Sequence, residues 1–249
     1  MKKNCFLIVT LLLCFGFVSF SQENTRKRTV GLERYQNLEI KKLDVQEMNG
    51  RFPTPGGLNL IYSENFDQGV PAGWTFFGSS ASCQWAVDAT ANPPGYFSAP
   101  YSLNYNNGVD YDCGRNYGTA VSPLINAWPS MTQLRFMFIR STENFGYYDM
   151  LFVNVLDEFN NIIIYNNLPE SENWSPYMMD FQIPEGIDKI KLEFYFDTGD
   201  AALNNYKGAF IDNIELYMGP MIPLSNWAVV IGIFLVAVTI FIRSRRFGS

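Results

Sequence analysis

The side chains of this chain that could do chemistry are almost all carboxylates. Two short loops each place a pair of aspartates beside a glycine, Asp110 with Asp112 and Asp197 with Asp200. Such a loop can hold a cation, but acidic pairs of this kind are more often solvated turns. The chain has no histidine, which excludes histidine-dependent triads, histidine zinc sites and histidine proton shuttles. A glycosidase or lyase that uses two carboxylates needs no histidine, and it stays as an alternative although no catalytic pattern is recognisable.

The beginning of the chain has the parts of a secretory signal peptide. Lys2 and Lys3 form a basic start, an apolar segment runs from Cys5 to Val18, and small residues lead up to Ser21. We therefore predict a signal peptide over residues 1–21 and export of the remaining chain.

The end of the chain has the pattern of a membrane anchor. Residues 228–242 are apolar apart from one threonine, and with 224–227 they reach about 19 residues, the length that a helix needs to cross a bilayer. Three arginines follow, at positions 243, 245 and 246. Basic residues favour the cytoplasmic side, so we predict one transmembrane helix within residues 222–249, with Arg243, Arg245 and Arg246 inside and the bulk of the protein outside.

The two cysteines of the exported part, Cys83 and Cys113, are most simply a disulfide. Closing a loop of about 30 residues contributes roughly 3 to 4 kcal/mol in the chain-entropy model. A reactive thiol is the alternative, but the chain has no histidine to activate it.

Charge divides the exported part into two regions. Residues 22–57 carry 7 basic and 5 acidic side chains and end in a Pro-Gly-rich loop, which indicates a linker. Residues 58–219 carry 6 basic and 19 acidic side chains, a net charge of −13. This acidic domain is a poor partner for nucleic acid and a plausible one for a divalent cation. The alternative is that the charge serves solubility.

The domain is predicted to be all-β, because it is rich in Tyr, Phe, Asn and Ile and shows no long helical period. The predicted strands are 58–66, 74–77, 84–88, 102–105, 120–124, 133–140, 149–156, 162–165, 177–183, 189–197 and 209–217. Many short strands separated by turn signals indicate a two-sheet antiparallel jelly-roll sandwich.

Two of these strands show which faces they bury. Residues 189–197 alternate between apolar even positions and mostly charged odd positions, which predicts one buried and one wet face. Residues 149–156 are almost continuously apolar, as expected for a central strand that is covered on both sides. Residues 157–161 then predict a hairpin turn into the next strand.

The order of several short motifs resembles a known group of surface modules. These motifs are Glu64-Asn65-Phe66-Asp67-Gln68-Gly69, Pro71-Ala72-Gly73-Trp74, Trp85, Tyr148-Asp149, Trp174, Met179-Asp180-Phe181 and Lys207-Gly208-Ala209-Phe210-Ile211-Asp212-Asn213-Ile214-Glu215-Leu216. Together they resemble the MAM, cleaved-adhesin and "choice-of-anchor" jelly rolls, especially type J of bacterial surface proteins. The resemblance covers most of residues 60–217.

The resemblance implies a structural calcium ion between the first and the last strand. Asp67 and Asp212 match the acidic positions of the group, and Glu64 is a weaker candidate. Calcium takes six to eight oxygen ligands. Carboxylates from the first and the last strand that bind one ion would hold the two ends of the domain together. The alternative is that Asp67 and Asp212 accept backbone hydrogen bonds in turns.

The tail resembles the three-part C-terminal sorting signals of the PEP and IPTL kinds, which exosortase-like transpeptidases are thought to process. The matching residues are Pro223, Ser225 and Trp227, followed by the span and the arginines. The chain departs from the IPTL pattern because no residue separates Pro223 from Leu224 and because Asn226 stands where an acid is usual. An ordinary anchor with Trp227 at the membrane interface is the alternative.

These observations lead to one functional hypothesis with two alternatives. We expect a non-enzymatic, envelope-exposed binding or adhesion module that is stabilised by calcium, with a glycan or a protein as its ligand. A carbohydrate-binding module of a polysaccharide system and a carboxylate enzyme are the alternatives. A sugar can stack on an exposed aromatic ring, and Trp128 is the tryptophan that looks least like a core residue. The alternative is that Trp128 packs in the core.

Overall fold

The computed structural model of the protein describes residues 56–89, 95–143 and 148–220. These residues form strands, turns and loops, and no helix occurs among them. The strands are β1 (Asn59–Glu64), β2 (Thr75–Gly78), β3 (Gln84–Asp88), β4 (Ser102–Asn106), β5 (Tyr117–Val121), β6 (Ile125–Asn126), β7 (Met131–Ser141), β8 (Met150–Asp157), β9 (Ile162–Asn167), β10 (Ser171–Gln182), β11 (Lys189–Asp197) and β12 (Gly208–Met218).

The strands form two antiparallel sheets. The first sheet has the order β10-β7-β12-β4-β3, and β1 also pairs with β12. The second sheet has the order β2-β5-β11-β8-β9, and β6 also pairs with β11. The predicted all-β class with two antiparallel sheets is confirmed. The predicted signal peptide, most of the linker and the predicted transmembrane helix lie outside the described residues.

Aromatic rings join the two sheets across the core. The Phe136 ring of the first sheet lies 5.3 Å from the Phe194 ring of the second, and the rings of Tyr105 and Phe196 lie 4.9 Å apart. Trp85, which is 2% exposed, adds an indole ring 6.4 Å from Phe194. Because large rings bury much apolar area, these contacts hold the sheets together and fix the positions of their outer faces.

The predicted wet face of residues 189–197 is wrong over the second half of β11. Glu193 and Asp197 are only 4% and 1% exposed. Asn154 donates to the Glu193 carboxylate over 2.6 Å, and Arg115 forms an ion pair with Asp197 at 2.8 Å. Sequence alternation shows which residues face away from the core, but partners from other strands and loops decide whether that face is exposed to water.

The central strand and its hairpin agree with the prediction. Every residue of β8 is buried, and β8 pairs with both β11 and β9. In the following turn the Asp157 carboxylate accepts hydrogen bonds from the amides of Phe159 and Asn161 over 2.9 and 2.8 Å. Asn160 has a φ of 69°, a conformation that asparagine tolerates better than most residues. The acidic turn therefore sets the register of β8 and β9.

All eleven predicted strands have an observed counterpart, nine of them within two residues at each end, whereas two differ by three residues or more. β5 ends at Val121 and the short strand β6 begins at Ile125. Pro123 lies between them and lacks an N–H group for a sheet ladder. β10 begins at Ser171, before the predicted start at 177, and its register against β7 shifts between Ser171 and Ser175.

The predicted disulfide between Cys83 and Cys113 is confirmed, with the two Cα atoms 6.0 Å apart. It joins the residue before β3, an edge strand of the first sheet, to the loop that leads from β4 to β5. No helix among the described residues is long and apolar enough to cross a membrane.

Candidate functional site

The turn after β1 presents one of the predicted metal ligands. Phe66 is fully buried, and its ring packs edge-on against Trp74 at 5.4 Å. Its φ is 59°, which is unusual for a bulky residue and marks a conformation imposed by the surroundings. The Phe66 amide donates to the Glu64 carboxylate over 2.7 Å. Burial of the ring thus fixes the turn that carries Asp67.

A bulge in β12 presents the other predicted ligand. The register against β7 shifts between Asp212 and Glu215, and Asn213 has a φ of 49°. Bulges commonly re-aim a side chain beside a functional site. Asp212 is fully buried, and its own Oδ1 atom accepts the Asn213 amide over 2.7 Å.

A third segment brings a hydroxyl group into contact with both ligands. The Ser98 Oγ atom lies 3.3 Å from Asp67 Oδ1 and 3.1 Å from Asp212 Oδ1. It also lies 3.0 Å from Asn213 Oδ1 and 3.4 Å from the Asn65 carbonyl oxygen. We call these five residues, Asn65, Asp67, Ser98, Asp212 and Asn213, the oxygen cluster.

Burial makes the Asp212 charge costly in this cluster. The amides of Phe97 and Ser98 donate to its Oδ2 atom over 2.8 and 2.7 Å. Burial nevertheless raises the pKa of Asp212 from 3.8 to about 6, and the hydrogen bonds from Ser98, Phe97 and Asn213 offset only part of the rise. A cation in contact with the carboxylate would stabilise its charged form.

The oxygen cluster suits a hard cation in its chemistry. Its groups are carboxylate, amide, carbonyl and hydroxyl oxygens, which are the ligands that calcium prefers. Within the described part of the chain, no three His, Cys, Asp or Glu side chains are grouped to hold a metal. A cation here would therefore use the other oxygens as well as Asp67 and Asp212.

Sequence reasoning identified part of this cluster. The structure brings Asp67 and Asp212 together, whereas the Oε1 atom of Glu64 accepts the Phe66 amide instead. Asn213 could have been found because it adjoins Asp212. Ser98 carries no local signal, since it lies 114 residues from Asp212 and only the fold makes them neighbours.

A cleft opens beside the oxygen cluster and shares two of its residues. Its volume is about 460 Å³, and it is lined by Ser63, Glu64, Asn65, Asn213, Ile214 and Glu215. Because five of these six residues are polar, the cleft gives water and ions a hydrophilic approach to the cluster.

Trp128, the predicted ligand-binding residue, packs partly buried against the core. Its Nε1–H group donates to the Gly219 carbonyl oxygen over 2.9 Å. These contacts tie the loop after β6 to the end of β12, which is a structural role. A role in ligand binding stays a prediction.

The two acidic loops bind their own backbone. Asp110 Oδ1 accepts the Asp112 amide over 3.0 Å, and Asp200 Oδ1 accepts the Ala202 amide over 2.8 Å. Asp197 Oδ1 accepts the Gly199 amide over 2.8 Å in addition to its ion pair. These contacts give the loops the turn-forming role that such acidic pairs usually have.

A ladder of aromatic rings crosses the outer face of the second sheet. One ring comes from each of five strands, and successive ring centroids are 6.1, 6.4, 6.3 and 6.1 Å apart. The order across the sheet is Phe77, Tyr117, Tyr195, Phe152 and Tyr165. The two rings at one end are exposed, Phe77 by 55% and Tyr117 by 37%, whereas Phe152 and Tyr195 are buried. We call Phe77 and Tyr117 the ring pair.

Polar groups border the ring pair. The guanidinium carbon of Arg115 lies 5.5 Å from the centre of the Tyr117 ring, and the Arg115 side chain is 20% exposed. Asp197 accepts from Arg115 and also from the Tyr195 hydroxyl over 2.7 Å. The cation beside the rings is therefore already neutralised by a buried carboxylate.

Another carboxylate, Asp149, is fully buried and forms no ion pair within the described part of the chain. The Tyr111 hydroxyl donates to Asp149 Oδ2 over 2.6 Å, while Oδ1 is buried without a hydrogen-bond partner. Burial raises the Asp149 pKa from 3.8 to about 7. Because the residue is 0% exposed, substrate cannot reach it in this conformation.

Comparison with known proteins yields distant likenesses in fold. No protein-family model matches the chain, and no curated protein matches it in sequence. Its structural neighbours include a carbohydrate-binding module, TmCBM61, in complex with beta-1,4-galactotriose, at 14% identity and a TM-score of 0.44, covering 62% of this chain and 94% of the module. The CBM22-1 xylan-binding domain from Paenibacillus barcinonensis has 12% identity and a TM-score of 0.41, covering 68% of this chain and all of that domain (100%).

Two further neighbours differ in kind. The K3 cleaved adhesin domain of Lys-gingipain from Porphyromonas gingivalis has 15% identity and a TM-score of 0.40, covering 64% of this chain and 99% of that domain. The enzymatically active domain of tailspike protein 4 from bacteriophage CBA120 has 14% identity and a TM-score of 0.45, and 62% of this chain covers only 20% of it. At these scores the likenesses carry no argument about function, which has to come from the residues of this chain.

Proposed function

We propose that this chain is a non-enzymatic binding module, displayed outside the cytoplasmic membrane and stabilised by calcium. The observation that carries the proposal is the oxygen cluster, which joins the end of β1, the bulge of β12 and the segment at Ser98. The carboxylates with known contacts support binding rather than catalysis, because they close turns, pair with arginine or lie buried. Glu64 and Glu215 both line the cleft beside the oxygen cluster, but each already accepts a hydrogen bond, Glu64 from the Phe66 amide and Glu215 from the Tyr217 hydroxyl.

Calcium would be held by Asp67 and Asp212, together with the oxygens of Asn65, Ser98 and Asn213. It would compensate the buried Asp212 charge and cross-link the first and last strands of one sheet. Glu64 stays a weaker candidate because its Oε1 atom already accepts an amide.

Calorimetry and thermal melting of the full-length protein in detergent would test the calcium site. We expect heat of binding on addition of calcium chloride and a rise in Tm that EDTA reverses. Asp212→Asn should abolish both effects, because the amide supplies less charge to a hard cation. Asp188→Asn removes an exposed carboxylate and should leave both unchanged. Absence of heat and of a Tm shift in the wild-type protein would contradict the calcium proposal.

A turnover assay would separate a binding module from an enzyme. The full-length protein is incubated with soluble polysaccharides, and reducing ends are measured over time. We expect binding without release of reducing ends. Release that scales with protein concentration would establish the carboxylate enzyme instead.

The location of the module rests on both ends of the chain. We propose export by the signal peptide of residues 1–21 and retention by the span within 222–249. Pro223, Ser225 and Trp227 either lead into an ordinary membrane anchor or form the recognition site of an exosortase-like enzyme. Mass spectrometry of the mature C-terminus decides, since a chain that still contains Arg243, Arg245 and Arg246 has kept its anchor.

A carbohydrate-binding module is the second candidate, and the exposed ring pair favours it. Aromatic rings that remain exposed on a rigid sheet are the surface on which sugars stack. This candidate differs from a protein-binding adhesin in its ligand rather than in its fold.

A further inference from the structure

The ring pair has the exposure that a binding site needs. Phe77 is 55% and Tyr117 is 37% exposed, and their centroids lie 6.1 Å apart with planes tilted by 45°. Large rings that face water on a folded domain are costly to leave uncovered. Other rings of the same ladder are covered, since Phe152 and Tyr195 are only 5% and 7% exposed.

The backbone under the ring pair is held firmly. Gly78 pairs with Gly118, between the two rings, in the ladder of β2 and β5. A Cβ atom on Gly118 would lie 2.7 Å from the ring of Tyr105, so this backbone lies directly on the core. Rings on such a backbone lose little freedom on binding, which lowers the entropic cost of association.

Hydrogen-bonding groups surround the rings. Thr119 lies opposite Phe77 in the strand register, and the exposed Ser79 hydroxyl accepts the Tyr117 amide over 2.8 Å. Arg115 adds N–H groups beside the Tyr117 ring. A sugar presents both C–H faces, which can stack on aromatic rings, and hydroxyl groups, which can bond to these polar side chains.

The charges around the ring pair favour an uncharged ligand. Arg115, the cation beside the rings, is already paired with Asp197, so its charge is not available to bind an anion. The domain carries a net charge of −13 over residues 58–219, which repels polyanions. A neutral carbohydrate can bind without breaking the Arg115–Asp197 ion pair, and it needs no opposite charge on the protein.

We propose that the ring pair binds a neutral carbohydrate, with sugar rings stacked on Phe77 and Tyr117 and hydroxyl groups bonded to Arg115, Ser79 and Thr119. The site deepens the proposed binding function and rests on it. The centroid separation of 6.1 Å lets neighbouring sugar residues of one chain each meet a ring. The site is distinct in its residues from the oxygen cluster.

Affinity electrophoresis of the full-length protein tests this proposal. The gels contain xylan, β-1,4-galactan, mannan or hydroxyethylcellulose as neutral probes, and polygalacturonate or alginate as anionic probes. We expect at least one neutral polysaccharide to retard the protein and neither anionic one to do so. Phe77→Ala and Tyr117→Ala should each weaken binding about tenfold, the effect of losing one stacking ring. Tyr117→Phe keeps the ring and should keep most of the affinity.

Phe159→Ala is the matched control. Phe159 is 75% exposed in the β8–β9 hairpin, outside the ring ladder, and its removal should leave retardation unchanged. Melting curves of all variants verify that they are folded. Calorimetry with a hexaose of the best polysaccharide then gives the fold-change in affinity.

Each of the other outcomes would contradict one part of the proposal. If wild-type protein and both ring variants bind a neutral glycan equally, the site is wrong while the binding function stands. If only the anionic probes retard the protein, the ligand class is wrong. If no probe binds, or if the ring variants instead abolish self-association, the carbohydrate site is wrong, and the calcium measurement still tests the module independently.

Discussion

At the scale of single residues, the buried carboxylate of Asp149 makes stability depend on pH. Its pKa is raised from 3.8 to about 7, chiefly by burial, so the folded protein keeps a proton that the unfolded chain has released. The stabilisation is complete at pH values below the ordinary pKa and is lost as the pH rises towards 7. Each pH unit in that window costs up to about 1.4 kcal/mol.

Urea unfolding at several pH values between 4 and 8, with EDTA present, measures this effect. We expect Asp149→Asn to flatten the fall in unfolding free energy, because the amide does not titrate and can still accept from Tyr111. Asp188→Asn changes an exposed carboxylate and should keep the wild-type slope. Parallel curves for Asp149→Asn and wild type would show that Asp149 is already ionised in the folded protein.

Trp128 allows a second prediction at this scale. Its ring packs against the core and its N–H group binds Gly219, so Trp128→Ala should lower the unfolding free energy by about 2 kcal/mol. Trp128→Phe retains packing and should cost about half as much. Denaturant titration checks both, and an unchanged midpoint in Trp128→Ala would leave the residue free for ligand binding.

At the scale of elements, the disulfide connects the start of β3 to the loop between β4 and β5, 30 residues further along the chain. Replacing both Cys83 and Cys113 by Ser should cost about 2 to 4 kcal/mol, since the unfolded chain regains the freedom of a 30-residue loop. Denaturant unfolding of this variant and of reduced wild-type protein should give the same free energy. A difference between them would reveal a packing cost of the serines.

β11 shows how far sequence patterns reach at this scale. The alternation in Lys189–Asp197 correctly separates residues that face the core from those that face away. It does not reveal that Glu193 and Asp197 are buried, because Asn154 and Arg115 come from other parts of the chain. Strand positions were predictable because they depend on local alternation, whereas the state of the outer face depends on neighbours that pairing brings together.

At the scale of the whole molecule, net charge and cation binding should be separable. In EDTA, sodium chloride should raise the Tm modestly, because screening relieves repulsion within the acidic domain. Millimolar calcium should add a further rise at constant ionic strength. Asp67→Asn should remove the calcium-dependent part and keep the salt-dependent part. Equal effects of calcium and magnesium in wild type and variant would indicate screening alone.

The sequence by itself determined the strand segments, the cysteine pair, the absence of histidine chemistry and the acidity of the domain. These properties follow from composition and short-range alternation, which need no knowledge of contacts. Only the tertiary structure decided that Ser98 meets Asp67 and Asp212, that Asp149 is buried, and that two rings of a five-ring ladder stay exposed. Strand pairing joins residues far apart in the chain, and this joining sets the burial and the neighbours on which the chemistry of a side chain depends.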